Sequence, residues 1–248
     1  MASQSYFKWT QIRGLDRPPG LAYAIAIVLR TSSRWVRFSS CYVIAALFAF
    51  GWQATKKTLQ VAPGWMVSPD YDEAFEVGVD HTVAHSGKAS TYIKSKRHAS
   101  ENSHANIGQR IKADAYRGKR VRLSGFLKTT NVTGLARLWM RVDSAKGILG
   151  QDAMHDRALK GTNNWSKLEI VLEVPEDSAG IIFGLRLNGA GQVWMDDLKW
   201  ETVESSIATT RTDNGRPATQ QLTEDQLKRI LQEYDQAPMH PVNMGFEH

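Results

Sequence analysis

Between Gly118 and Asp143 apolar side chains fall at every second position, the period of a strand with one buried face. In the first run Val121, Leu123, Gly125 and Leu127 share one face, and Arg122, Ser124, Phe126 and Lys128 share the other. In the second, Ala136, Leu138, Met140 and Val142 point one way and Arg137, Trp139, Arg141 and Asp143 the opposite way. Thr130-Asn131-Val132-Thr133-Gly134 lies between them and carries turn residues, so the two runs are predicted to pair as a hairpin. The aliphatic face supplies a core. The other face sets Phe126 and Trp139 among three arginines and a lysine, which suits a ligand surface: rings pack on apolar C–H groups while guanidinium groups bind oxygens.

Shorter β signals flank this stretch: Phe75–Asp80, Thr91–Ser95, Ile107–Ala113, Trp165–Val174, Ile181–Asn188 and Gln192–Glu201. A polar loop is predicted over Lys96–Asn106 and a long glycine-containing loop over Ser144–Asn164. Eight or so short strands separated by turn signals predict an all-β sandwich over residues 62–201. Residues 202–241 are predicted to be a linker and helix. Thr223-Glu224-Asp225-Gln226 has the form of a capping box, Leu222, Leu227, Ile230, Leu231 and Tyr234 form an apolar stripe, and Pro238 and Pro241 end the helix.

The formal charge of +6 on 248 residues is unevenly placed. Residues 1–57 hold eight Lys/Arg against the single acid Asp16; the remainder holds 23 Lys/Arg and 24 Asp/Glu. A nucleic-acid surface needs its charge on the folded domain, so no nucleic-acid partner is expected. The single cysteine, Cys41, excludes an internal disulfide framework and thiolate zinc clusters. Phe38 to Thr55 is a run of 18 uncharged residues flanked by Trp35 and Trp52, and as a helix it reaches about 27 Å. With six Lys/Arg before it and only Lys56 and Lys57 closely after it, residues 38–55 are predicted to be a transmembrane helix, a signal anchor. That puts residues 1–37 inside as a basic cytoplasmic arm and the C-terminal domain outside the cytoplasmic membrane. Ala49-Phe50-Gly51 also has the form of a cleavage site, which would make the segment a removed signal peptide with Trp52 as the new N-terminus.

Gly64-Trp65, His85-Ser86-Gly87-Lys88-Ala89-Ser90, Tyr116-Arg117-Gly118-Lys119, Trp165-x-Lys-x-Glu running to Val174-Pro175-Glu176-Asp177, and Gly191-x-Val-Trp-x-Asp-Asp-Leu follow one another in a consistent order. Together they resemble the galactose-binding-like jelly-roll β-sandwich of carbohydrate-binding modules. More closely they resemble the bacterial subgroup also found joined to AraC-type transcriptional regulators. The resemblance spans roughly Pro63 to Glu201 and the last six residues. It implies a loop of the kind formed here by Asp152, Met154, Asp156 and Arg157. Unlike the regulators, this chain shows no helix-turn-helix pattern.

The resemblance implies one sheet carrying Phe126, Arg137, Trp139, Arg141 and Arg186, with Met154 and Arg157 lidding it, as a site for a carbohydrate or similar polar ligand. The bland alternative is that the predicted helix or a loop covers the aromatics as a second small core. Asp196 and Asp197 invite a structural calcium, although calcium wants six to eight oxygens and hydrogen bonding to a turn serves these residues equally well. The seven histidines show no metal-ligand spacing, and no nucleophile–base pair or opposed carboxylates suggest an enzyme. A protein–protein interaction or sensory domain of the cell envelope, linked to transcriptional regulation, is the second functional reading.

Modules of this kind typically open on an Asn-x-x-Phe-Glu strand ahead of Gly-Trp. Here that motif stands at the end, as Asn243-Met244-Gly245-Phe246-Glu247. Residues 242–248 are therefore predicted to return as a terminal strand closing the sandwich, with Phe246 in the core. Exchange of the same strand between chains would give a swapped homodimer.

Overall fold

The computed structural model describes residues 61–68, 73–97, 99–210 and 222–247. All of these lie in the second of two units into which the chain divides, Thr58–His248. The predicted anchor at 38–55 and the arm at 1–37 lie outside the described residues; among those that are described, no helix is long and apolar enough to cross a membrane.

Among the described residues nine strands form the domain: β1 (Met66–Val67), β2 (Phe75–Asp80), β3 (Ser90–Ser95), β4 (His104–Lys112), β5 (Lys119–Ser144), β6 (Gly147–Asp152), β7 (Leu159–Val174), β8 (Ser178–Asn188) and β9 (Gln192–Val203). Every ladder is antiparallel. One layer runs β7–β5–β9–β3–β2 and the other β6–β5–β8–β4–β1, so β5 belongs to both. Between the layers lie Phe75, Ile93, Ile107, Leu123, Leu127, Leu138, Met140, Ile170, Phe183 and Leu185, all fully buried. Each contributes ~1.5–3 kcal/mol by leaving water.

The predicted hairpin at Gly118–Asp143 is instead one strand of 26 residues. Its first part pairs with β7 and β9, and its second with β8 and β6, with β7 keeping one pair past the bend at Ala136; the two parts never pair with each other. Residues 130–134 bend the strand without reversing it. The register against β7 shifts on both sides of Val132, and Asn131 takes a φ of 52°. Bulges of this kind steer a strand from one layer to the next, and they use the same Asn and Gly residues as a turn. Gly134 cannot be replaced here, because a Cβ would run into the carbonyl oxygen of Asn188. The alternation on either side was assigned to the correct faces: Val121, Leu123, Leu127, Ala136, Leu138, Met140 and Val142 are all core.

The expected loop Ser144–Asn164 contains β6 and the first residues of β7. Its glycines are local: Gly147 takes positive φ where the turn enters β6, and Gly161 takes positive φ within β7. The helix α1 (Glu224–Asp235) starts on the predicted capping box, with Gln226 N donating to Thr223 Oγ1 at 3.3 Å and Thr223 N to Gln226 Oε1 at 2.9 Å. Thr223→Ala is expected to cost ~1 kcal/mol in chemical denaturation, and an unchanged midpoint would show that this cap contributes nothing.

Residues 242–247 dock on the sandwich but form no ladder, which corrects the expected terminal strand. Asn243 and Phe246 take positive φ (46° and 60°), which breaks the extended run. Scattered hydrogen bonds, most of them involving side chains, hold the segment instead. Val242 N donates to Gln109 Oε1 (2.8 Å), Gln109 Nε2 to the Val242 carbonyl (2.9 Å), and Trp65 Nε1 to the Asn243 carbonyl (3.0 Å). Leu198 N donates to the Met244 carbonyl at 3.2 Å and Lys88 N to Glu247 Oε1 at 2.8 Å. Phe246 is 1% exposed, with its ring centroid 5.0 Å from that of Trp65.

Candidate ligand-binding site

The registers of β5, β8 and β4 set out the outer face of one layer in rows. Arg137, Arg186 and Asn106 lie side by side; next come Trp139, Gly184 and Gly108; then Arg141, Ile182 and Arg110; then Asp143, Gly180 and Lys112. The helix α1 sits over the last two rows. Tyr234 fills the space above Gly180, where any Cβ would run into its ring, and its hydroxyl donates to Asp143 Oδ2 at 2.7 Å. Burial and the adjacent Asp143 charge push the Tyr234 hydroxyl well above its ordinary pKa, so it stays a donor. Arg110 pairs with Glu233 at 2.8 Å. Arg141 is committed to the same network: Nη2 donates to Asp143 Oδ2 at 2.9 Å, and Nε lies 2.8 Å from Oδ1. The helix thus covers one end of the face as a small core.

The other two rows are built differently. Gly184 has no side chain, so the Trp139 indole reaches across it; Cζ2 stands 3.4 Å from where a Cβ on Gly108 would be. Arg137 is 4% exposed. Its Nε and Nη1, the Trp139 Nε1 and the Asn106 Oδ1 are all buried without a hydrogen-bond partner among the described residues. Native proteins leave few such groups, because each forfeits its hydration without compensation. Burial and then the neighbouring Arg186 push the Arg137 guanidinium down to about 10. Residues 153–158, which join β6 to β7, reach this row. His155 in that segment is held below its ordinary pKa by burial and by the Arg137 and Arg186 charges, against Asp152 and Asp156.

Of the residues expected to share one site, the structure brings Arg137, Trp139, Arg141 and Arg186 onto one face. Phe126 is on the outer face of the opposite layer, because the bend in β5 carries the same strand face from one layer to the other. There it stacks on His85, with centroids 3.7 Å apart and 13° between planes, and Trp165 meets His85 edge-on at 5.5 Å. Met154 corrects the expected lid. It takes a φ of 48° after β6, and its side chain drops into the core, 1% exposed. Arg157 reaches back to the buried Asp152, whose Oδ1 also accepts from Met154 N at 2.8 Å, so it fastens the loop. Asn106 and His155 were missed: one stood in an expected polar loop, the other among histidines with no pattern.

Asp196 and Asp197 hold a turn. Asp196 Oδ2 accepts from His85 N (2.7 Å) and Ser86 N (3.1 Å), and its Oδ1 accepts from Asp197 N (2.7 Å). Asp197 takes the Ser86 hydroxyl at 2.6 Å and lies 2.5 Å from His85 Nδ1. All four carboxylate oxygens are engaged, which favours turn bonding over calcium. Among the described residues no three His, Cys, Asp or Glu side chains gather as a metal site.

Trp139→Ala is expected to weaken ligand binding by ~1–3 kcal/mol and to leave the sandwich folded, since the ring lies outside the core. A steep fall in melting temperature would make the indole a structural prop instead.

No family model matches the chain. A curated relative, the uncharacterized HTH-type transcriptional regulator YbfP of Bacillus subtilis (strain 168), is 47% identical over 151 residues, which is 60% of this chain and 51% of that protein. The chain thus spans about half the length of the curated relative it matches. Among solved structures, it is similar to the CBM22-1 xylan-binding domain of Paenibacillus barcinonensis Xyn10C (TM-score 0.43, 16% identity, 59% of this chain and 90% of that one). It is also similar to TmCBM61 in complex with β-1,4-galactotriose (0.40, 15%, 59% and 92%) and to the enzymatically active domain of bacteriophage CBA120 tailspike protein 4 (0.46, 14%, 57% and 20%).

Proposed function

We propose that the β-sandwich is a non-catalytic binding module for a carbohydrate or similar polar ligand, held outside the cytoplasmic membrane by residues 38–55. The observation that carries this reading is the set of orphaned polar atoms around Trp139. Arg137 Nε and Nη1, Trp139 Nε1 and Asn106 Oδ1 present donors and an acceptor beside an aromatic face, the combination that sugar recognition uses. Catalysis finds less support. The buried carboxylates Asp143, Asp152 and Asp196 are each committed to partners inside the domain, where hydrolysis of a glycosidic bond needs two free ones.

The test is a glycan array probed with the full chain in detergent micelles, alongside Trp139→Ala. The wild-type chain is expected to retain one class of glycan that the variant loses. Retention of nothing, or equal retention by both, counts against the module.

A second reading, a sensory domain linked to transcription, is favoured by the regulator that is 47% identical over 151 residues. It predicts that the glycan found on the array changes transcript levels in cells carrying the wild-type chain and not in cells carrying Trp139→Ala. An unchanged profile would sink it. For the membrane, a reporter active only outside the cytoplasm is expected to work when fused after Glu201; silence there removes the anchor from the proposal.

A further inference from the structure

Arg137 is handled unlike its neighbours. Arg141 lies against Asp143, Arg110 against Glu233, Arg122 against Glu201, and Arg157 against Asp152. Arg137 is more deeply buried than any of these, yet among the described residues it forms no ion pair and no hydrogen bond. The charge that acts on it is another cation, Arg186, directly opposite across the β5–β8 ladder. Like charges so placed repel, and a buried charge without a counter-ion is among the costliest arrangements in a fold. The two acids near this row, Asp152 and Asp156, lie against Arg157 and neither pairs with Arg137.

Removing the charge would relieve the fold, so its presence calls for an anion from outside. A guanidinium presents planar N–H groups that match a carboxylate. The third orphan donor, Trp139 Nε1, stands in the adjacent row, and the orphan acceptor, Asn106 Oδ1, shares the row with Arg137 and Arg186. An acceptor without a donor asks for a hydroxyl on the same ligand, which a fully deprotonated anion such as sulfate lacks. Resting on the binding-module reading above, we infer that the ligand is a sugar acid: its carboxylate seats on Arg137 beside Arg186, and a hydroxyl of the same ring donates to Asn106. Nothing in this geometry requires a long chain; one acidic residue at a chain end or along a polymer satisfies it.

Two measurements on the full chain in detergent micelles test this. Without ligand, Arg137→Met is expected to raise the melting temperature, because an uncompensated charge gives way to an apolar side chain of similar length. A fall in both Arg137→Met and Arg137→Gln would mean that the fold itself uses the charge, and would overturn the inference. With ligand, titration at matched ionic strength compares digalacturonate, its uncharged counterpart digalactose, and sulfate. Digalacturonate is expected to bind ~10-fold or more tighter than digalactose, the scale of one charge-assisted hydrogen bond, with affinity falling as salt rises. In Arg137→Met that preference is expected to vanish. Equal binding of the two sugars, unaffected by Arg137→Met, overturns the sugar acid and leaves the binding module standing. Sulfate matching digalacturonate reduces the site to a simple anion site and overturns the hydroxyl contact. Binding of none of the three overturns the inference, while the glycan array still decides the module.

Discussion

Removing residues 242–248 is expected to cost ~3–5 kcal/mol, measured as a lower urea midpoint for the chain ending at Pro241. Phe246 alone accounts for that scale, since truncating a fully buried phenylalanine loses both its transfer free energy and the packing of the cavity it leaves. The deletion also strips partners from buried or half-buried donors. Trp65 Nε1 loses the Asn243 carbonyl, Leu198 N loses the Met244 carbonyl, and the Gln109 amide loses both of its contacts with Val242. Phe246→Ala separates the two contributions, because it keeps the backbone contacts and empties only the core position. A deletion with an unchanged midpoint would show the tail to be an ornament, the usual fate of a terminus.

Asp143→Ala is expected to destabilise by ~3 kcal/mol, the lower end of the range for breaking a buried ion pair, since Arg141 still reaches some water. Tyr234→Phe should cost less, ~1–2 kcal/mol, because it removes one hydroxyl and leaves Asp143 paired with Arg141. The order matters more than either value. If Tyr234→Phe were the worse variant, the helix would be held by its hydroxyl and not by the charge network beneath it.

The faces of β5 were legible because alternation reports burial directly: residues on one side must be apolar whichever neighbours the strand finds. The path of the chain at residues 130–134 was not. Asn131 and Gly134 serve a bulged bend as readily as a turn, and only the partners on either side, β7 and β9 before and β8 and β6 after, tell the two apart. That one ambiguity misplaced Phe126, since a hairpin would have set it on the same sheet as Trp139. Met154 failed for a different reason. It stood in a polar loop, and its burial follows from a single left-handed residue that no period announces. Phe246 was found through the position of its motif relative to Gly64-Trp65. The irregular backbone that carries it was not, because Asn243 and Phe246 depart from extended geometry for reasons of docking.

The continuity of β5 has a mechanical consequence. Two face-to-face sheets joined only by loops can shear past one another, each keeping its own hydrogen bonds. Here one strand runs through both, so a slip of one layer pulls on the other through the bulged bend at 130–134. A one-residue displacement would turn every core side chain of β5 outward in both layers at once. The bend at 130–134 thus ties the setting of one layer to that of the other.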